Sequence, residues 1–255
     1  MSGRDVLGQR APAGRELRYG SEDHHVYELF DATGAAPLPR ALVVLVHGGF
    51  WRAEWDRAHL RPLARALAGR GYAVALVEYV RTGMPGGGWP GTFDDAAAAL
   101  AAVREGSGHG APVVLVGHSA GGHLAVWLLH QPAAAGVSGA VSLAGVLDLR
   151  LAAALGLGDG AVQDLLGGGP DEVPDRYAAG DPARLGPTPY PVVAVQGDAD
   201  AQVPPQVARQ WWRAAGTPGR DELVELAGVD HFAVVDPRSP VLEVLVAAVQ
   251  RLVDG

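Results

Sequence analysis

The chain has 255 residues, 48% of them hydrophobic and 19% charged, with a formal net charge of −8. That length and apolar content suit one large α/β domain with a full core and exclude wholesale disorder. The sequence lacks Cys and Lys, which excludes disulfides, thiol nucleophiles, Cys-ligated metal centres, a Schiff-base lysine and a P-loop.

Ile and Asn are missing too. All three absent non-thiol residues share AT-rich codons, so the lack of Lys reads as base composition. Residues 1–20 are polar and Arg-bearing without an apolar stretch. They read as a mobile or loosely packed arm with no signal peptide, and the expected location is the cytoplasm. Residues 21–255 read as one domain. Segment 24–30 alternates as an early strand, and 41–46 is a continuous apolar run, as in a strand covered on both faces. Segment 56–69 carries Leu and Ala at helical spacing and ends at glycine. A second buried strand, 72–80, leads into the glycine-rich loop 83–91. An Ala-rich helix follows over 93–103, with Asp94 and Asp95 in its first turn. The third buried strand, 112–116, runs straight into an apolar helix. Then come a strand over 137–143, short helical pieces over 148–189, a strand over 191–196, a helix over 204–215, a strand over 222–226 and a helix over 241–253. Strands alternating with helices predict a mostly parallel sheet flanked by helices. Segment 148–189 breaks the rhythm and reads as a small cap-like insertion before the strand that leads to the candidate acid.

The strand at 112–116 feeds Gly117-His118-Ser119-Ala120-Gly121, a Gly-x-Ser-x-Gly at a strand-to-helix junction. A turn that tight strains the serine backbone and presents its hydroxyl at a helix N-terminus. Gly117 and Gly121 remove side chains that would collide there. After the first buried strand stands His47-Gly48-Gly49-Phe50-Trp51. Glycines let a backbone turn N–H groups toward a developing oxyanion, so Gly49 and Phe50 are candidate donors, with Ala120 completing the set. His47 reads as an anchor for that loop. A serine nucleophile needs a base and an orienting carboxylate, which in hydrolases of this type follow in the order Ser, acid, His. His231 is the histidine that satisfies the order, and Asp198 and Asp200 both fit the acid. Trp51, Trp89 and His118 are candidate substrate contacts. His24 and His25 stand without an acidic partner at ligand spacing, so no metal is expected, and no cofactor is implied.

These motifs resemble the α/β-hydrolase superfamily from about residue 24 onward. His-Gly-Gly-x-Trp, Gly-His-Ser-Ala-Gly-Gly-His-Leu and Asp-His-Phe are similar to kynurenine formamidases (arylformamidases) and nearby small esterases. The resemblance implies an α/β-hydrolase fold, an oxyanion hole at Gly49 and Phe50, and Asp200 as the acid. The register before Pro204 agrees, since proline favours a helix start and leaves Asp200 mid-loop. The expected protein is a serine hydrolase acting on a small carboxylic ester or N-formyl aryl amide through an acyl-enzyme. A general carboxylesterase or acyl-peptide hydrolase is the same-class alternative, although the chain has no room for a propeller domain. A non-catalytic binding protein of the same fold is the other. The acidic balance and the absence of an Arg cluster argue against a nucleic-acid partner, and no run is long enough for a membrane span. The expected partner is a small-molecule substrate, and a homodimer is compatible with the sequence.

Overall fold

The computed structural model describes residues 3–33, 39–106 and 110–255. Eight strands are present: β1 (Arg15–Arg18), β2 (Val26–Phe30), β3 (Leu42–Val46), β4 (Ala73–Val77), β5 (Val113–His118), β6 (Gly139–Leu143), β7 (Val192–Gly197) and β8 (Glu222–Leu226). They form one sheet in the order β1-β2-β4-β3-β5-β6-β7-β8. β1, β2 and β4 pair antiparallel, and every pair from β4 to β8 is parallel. This is the expected α/β-hydrolase fold.

Period-two alternation divides each central strand between two cores. On β3, Leu42, Val44 and Val46 face one core and Val43 and Leu45 the other. The second core is closed by α1 (Arg61–Ala68) and α9 (Val241–Asp254). The first is closed by α2 (Gly91–Gly106), α3 (Ala120–Leu128) and α8 (Gln206–Ala215). With both faces covered, β3 to β7 read as continuous apolar runs. β8 is an edge strand with Glu225 exposed and its other residues half-buried.

The expectation of a loose arm over 1–20 is corrected. Gly3–Gly8 forms a 3-10 turn, Val6 is buried in the α1–α9 core, and β1 pairs along β2. β1 reads as polar because it is an outer edge: Arg15, Glu16 and Arg18 are exposed and Leu17 alone is half-buried. Met1 and Ser2 of that arm lie outside the described residues.

Segment 148–189 folds into α4 (Leu149–Ala154), α5 (Ala161–Leu166), α6 (Pro174–Gly180) and α7 (Pro182–Leu185). It docks on α3, where His123 Nε2 meets the Gly180 carbonyl at 2.8 Å and Trp127 Nε1 donates to that of Ala179 at 2.9 Å. No helix among the described residues is long and apolar enough to cross a membrane.

Candidate active site

Ser119 joins β5 to α3 with φ 56° and ψ −119°, a strained positive-φ conformation. Glycine is required on both sides. A Cβ on Gly117 would stand 2.0 Å from the Gly121 carbonyl oxygen, and one on Gly121 would stand 2.2 Å from that of Val46. The close approach of α3 to β3 therefore sets the motif. Ala120 heads α3, so its N–H has no acceptor within the helix.

The loop after β3 runs beside this elbow. Gly48 has no room for a Cβ, which would lie 2.8 Å from the His118 carbonyl oxygen, and Gly49 has φ 111°. Phe50 and Trp51 follow with φ 51° and 54°. The backbone N–H groups of Gly49 and Phe50 make no hydrogen bond among the described residues. They are available, with Ala120, to an oxygen placed between the two loops. His47 anchors the loop as the sequence suggests. Its Nδ1 lies 2.8 Å from the Gly48 carbonyl, its Nε2 lies 2.7 Å from Glu78 Oε1, and its ring stacks on Tyr79 at 4.5 Å. Burial on its own would raise the Glu78 carboxyl. The His47 ring, then Arg81 and the Arg57 N–H, outweigh it and hold the group at about 2.

His231 lies beyond β8. Its Nδ1 donates to Asp200 Oδ2 at 2.7 Å, so in the neutral ring Nε2 is the acceptor. Asp200 is buried after β7. Its Oδ1 accepts the N–H groups of Gln202 and Val203, each at 2.8 Å, and Oδ2 also accepts Gln196 Nε2 at 3.2 Å. Asp198 instead caps the opposite turn, accepting the Gly228 N–H at 2.6 Å. His118 is buried with its ring 4.7 Å from that of His231, and its Nε2 donates to the His231 carbonyl at 2.9 Å. Burial foremost, then the neighbouring His231, pushes the His118 ring well below its ordinary value.

Ser119, His118 and His231 line one cavity of about 300 Å³, together with Gly49 and Phe50. The rest of its wall is Leu7, Trp55, His59, Gln202 and Phe232. Trp51 and Trp89 do not line it. The chain turns between Phe50 and Trp51, so the Phe50 ring meets the cavity. The Trp51 ring is fully buried, edge-on to His123 at 5.1 Å. Trp89 packs edge-on against Phe93 at 4.8 Å. Loops 83–91 and 148–189 contribute none of its lining. The tryptophan at the cavity is Trp55, 42% exposed. It precedes the 3-10 turn Arg57–Leu60 that carries His59. Glu78 was legible, as a lone charge ending the apolar run of β4. Leu7 and Gln202 carry no such mark.

The fold brings Asp95 to His24 and His25, a partner that sequence spacing hides. The His24 and His25 Nε2 atoms lie 3.6 and 3.4 Å from its carboxylate, and these three residues could hold a metal ion. The hydrogen bonds oppose that use. His25 Nδ1 accepts the Glu22 N–H, which leaves the proton on Nε2, and Asp95 already accepts Tyr19 Oη and the Val80 N–H. The trio clasps the β1–β2 hairpin to α2.

Strand order, elbow and flanking helices define an α/β-hydrolase fold. Residues 31–213 match the BD-FAE family, and the chain belongs to it. Esterase 2 of Thermogutta terrifontis shares 23% identity and a TM-score of 0.75, over 96% of this chain and 97% of that one. Another structure of that esterase, phosphoramylated by tabun, matches at 24% identity and TM-score 0.73, over 97% and 96% of the two chains. A truncated carbohydrate esterase from gut microbiota is 16% identical, with TM-score 0.80 over 96% and 98%. No curated protein sequence matches the chain.

Proposed function

We propose that the protein is a serine hydrolase that cleaves small carboxylic esters through an acyl-enzyme. The observation that carries this reading is the Asp200–His231 hydrogen bond in a cavity that also holds Ser119 and the free N–H groups of Gly49 and Phe50. Ser119 Oγ attacks the ester carbonyl while His231 Nε2 takes the hydroxyl proton. Asp200 holds the ring and steadies the imidazolium that forms. Gly49, Phe50 and Ala120 donate to the oxyanion. Collapse of the tetrahedral intermediate breaks the bond to the leaving oxygen, which takes the proton from His231. Water, deprotonated by the same ring, then releases the acid and restores Ser119. A cavity of about 300 Å³ walled by Phe50, Trp55 and Phe232 favours a short acyl group or an aryl ring over a long chain.

A fluorophosphonate probe tests the nucleophile. Ser119 should carry the label in intact-mass and peptide analysis, and Ser119→Ala should abolish both labelling and turnover, by on the order of a millionfold. A Ser119→Ala enzyme that keeps a tenth of its activity would sink the mechanism. The aryl-sided cavity also fits an N-formyl aryl amide, the formamidase alternative. Rates on N-formylkynurenine beside a p-nitrophenyl ester series separate the two. Formamidase activity is rejected if the amide turns over far more slowly than acetyl and propionyl esters, and the short-acyl preference if rates climb steadily to dodecanoyl.

A further inference from the structure

Two histidine rings of the cavity take no part in the mechanism above: His118, whose Nε2 is spent on the His231 carbonyl, and His59. His59 sits in the 3-10 turn Arg57–Leu60, whose start is capped by Asp56 Oδ1 accepting the Ala58 N–H at 2.8 Å. The His59 Nδ1 lies 2.6 Å from the Asp56 backbone carbonyl. A carbonyl can only accept, so Nδ1 bears the proton and Nε2 is a bare lone pair. The ring is wedged edge-to-face between His47 at 5.9 Å and Trp55 at 6.1 Å, which fixes its orientation. Nε2 makes no hydrogen bond among the described residues, while the ring lines the same cavity as Ser119 and His231.

His59 is not a second base for Ser119. It has no carboxylate on Nδ1 to steady an imidazolium. Burial first, then the adjacent His47, holds it down at about 4, so it stays neutral at neutral pH. A neutral, fixed acceptor on an otherwise apolar wall of Leu7, Phe50, Trp55 and Phe232 can do one thing for a ligand: accept a hydrogen bond. A ligand without a donor there would strip water from Nε2 and return nothing.

We infer that His59 is a specificity-determining residue whose Nε2 accepts a hydrogen bond from the substrate, so that the preferred esters carry a hydroxyl or N–H donor on an otherwise apolar acyl or alcohol group. The inference rests on the esterase reading of the same cavity. Of the other polar wall residues outside the reacting groups, Gln202 can donate as well as accept and does not impose this selection, and the unpartnered Nδ1 of His118 is buried away from a ligand.

Matched substrates test it on each side of the scissile bond. Methyl 3-hydroxybutanoate is compared with methyl 3-methylbutanoate, and 3-hydroxyphenyl acetate with 3-methylphenyl acetate, in which a hydroxyl is exchanged for a methyl of similar size. Wild type should favour the hydroxyl member of at least one pair by about tenfold in kcat/KM, the worth of one hydrogen bond. His59→Leu should erase that preference, and His59→Gln, which keeps an acceptor, should retain part of it. An undiminished preference in His59→Leu, or a wild type indifferent to both pairs, overturns the inference. If His59→Leu does not fold, His59→Phe supplies the same comparison. Fluorophosphonate labelling of wild-type Ser119 is read in parallel. Absence of label there defeats the esterase reading, whereas label without hydroxyl preference defeats only the role of His59.

Discussion

Asp198 and Asp200 stand two residues apart and share a residue type, yet the fold gives them opposite work. Asp200 is buried, takes three N–H donors besides His231, and is held in one orientation. Asp198 is exposed and holds the turn at Gly228. Spacing could not separate them, because alternate residues of an extended segment point the same way. The family register and Pro204 favour Asp200, and Asp200 is the one hydrogen-bonded to His231. Asp200→Asn should therefore lower kcat by about ten-thousandfold near neutral pH, by stabilising the wrong His231 tautomer. Asp198→Asn should cost about 1 kcal/mol in urea unfolding with kcat close to wild type. Folded variants whose rates rank the other way would refute the assignment. At this scale the sequence was most legible where chemistry restricts the residue type, as at Ser119 and His231. It was least legible where any side chain of suitable shape serves, as at Leu7.

Among elements, the central strands and their helices were readable because burial on both faces leaves no alternative to an apolar run. β1 was not, since an outer strand can be polar along most of its length and still pair. The pocket walls were missed for a different reason. Loops 83–91 and 148–189 follow strands at the correct end of the sheet, but which loop bends over Ser119 depends on packing between distant segments. The 3-10 turn at Gly3–Gly8 takes that place, with Val6 buried beneath and Leu7 at the cavity. Leu7→Ser should raise KM for a propionyl ester by about threefold to tenfold, as apolar contact is lost, and leave kcat nearly unchanged. Unaltered KM would show that this turn takes no part in binding.

For the molecule as a whole, buried ionisable groups set the response to acid. Burial is the first cause holding His59 and His123 at about 4 and His118 well below its usual range. Unfolded, these rings take protons below about pH 6.5. Their contribution to stability is therefore complete above that pH and is lost as pH falls toward 4. Asp181 acts in the opposite sense. Burial, then Asp148, lifts its carboxyl to about 7, so the stability tied to its folded-state proton is present at acid pH and lost as pH rises through 7. Three imidazoles outweigh one carboxyl, so Tm should climb from pH 4.5 to 6.5. Asp181→Asn, by removing the opposing contribution, should steepen that climb. A flat profile in wild type would contradict the balance. β8 bears on durability as well. His231 hangs from the outermost parallel strand, which is hydrogen-bonded on one side only, while Ser119 sits on β5 near the middle. A partial opening that peels β8 from β7 would unseat the base and leave the elbow folded. On warming, ester turnover should therefore fade several degrees before the far-ultraviolet signal collapses, and amides of β8 should exchange with deuterium well ahead of those of β3 and β5.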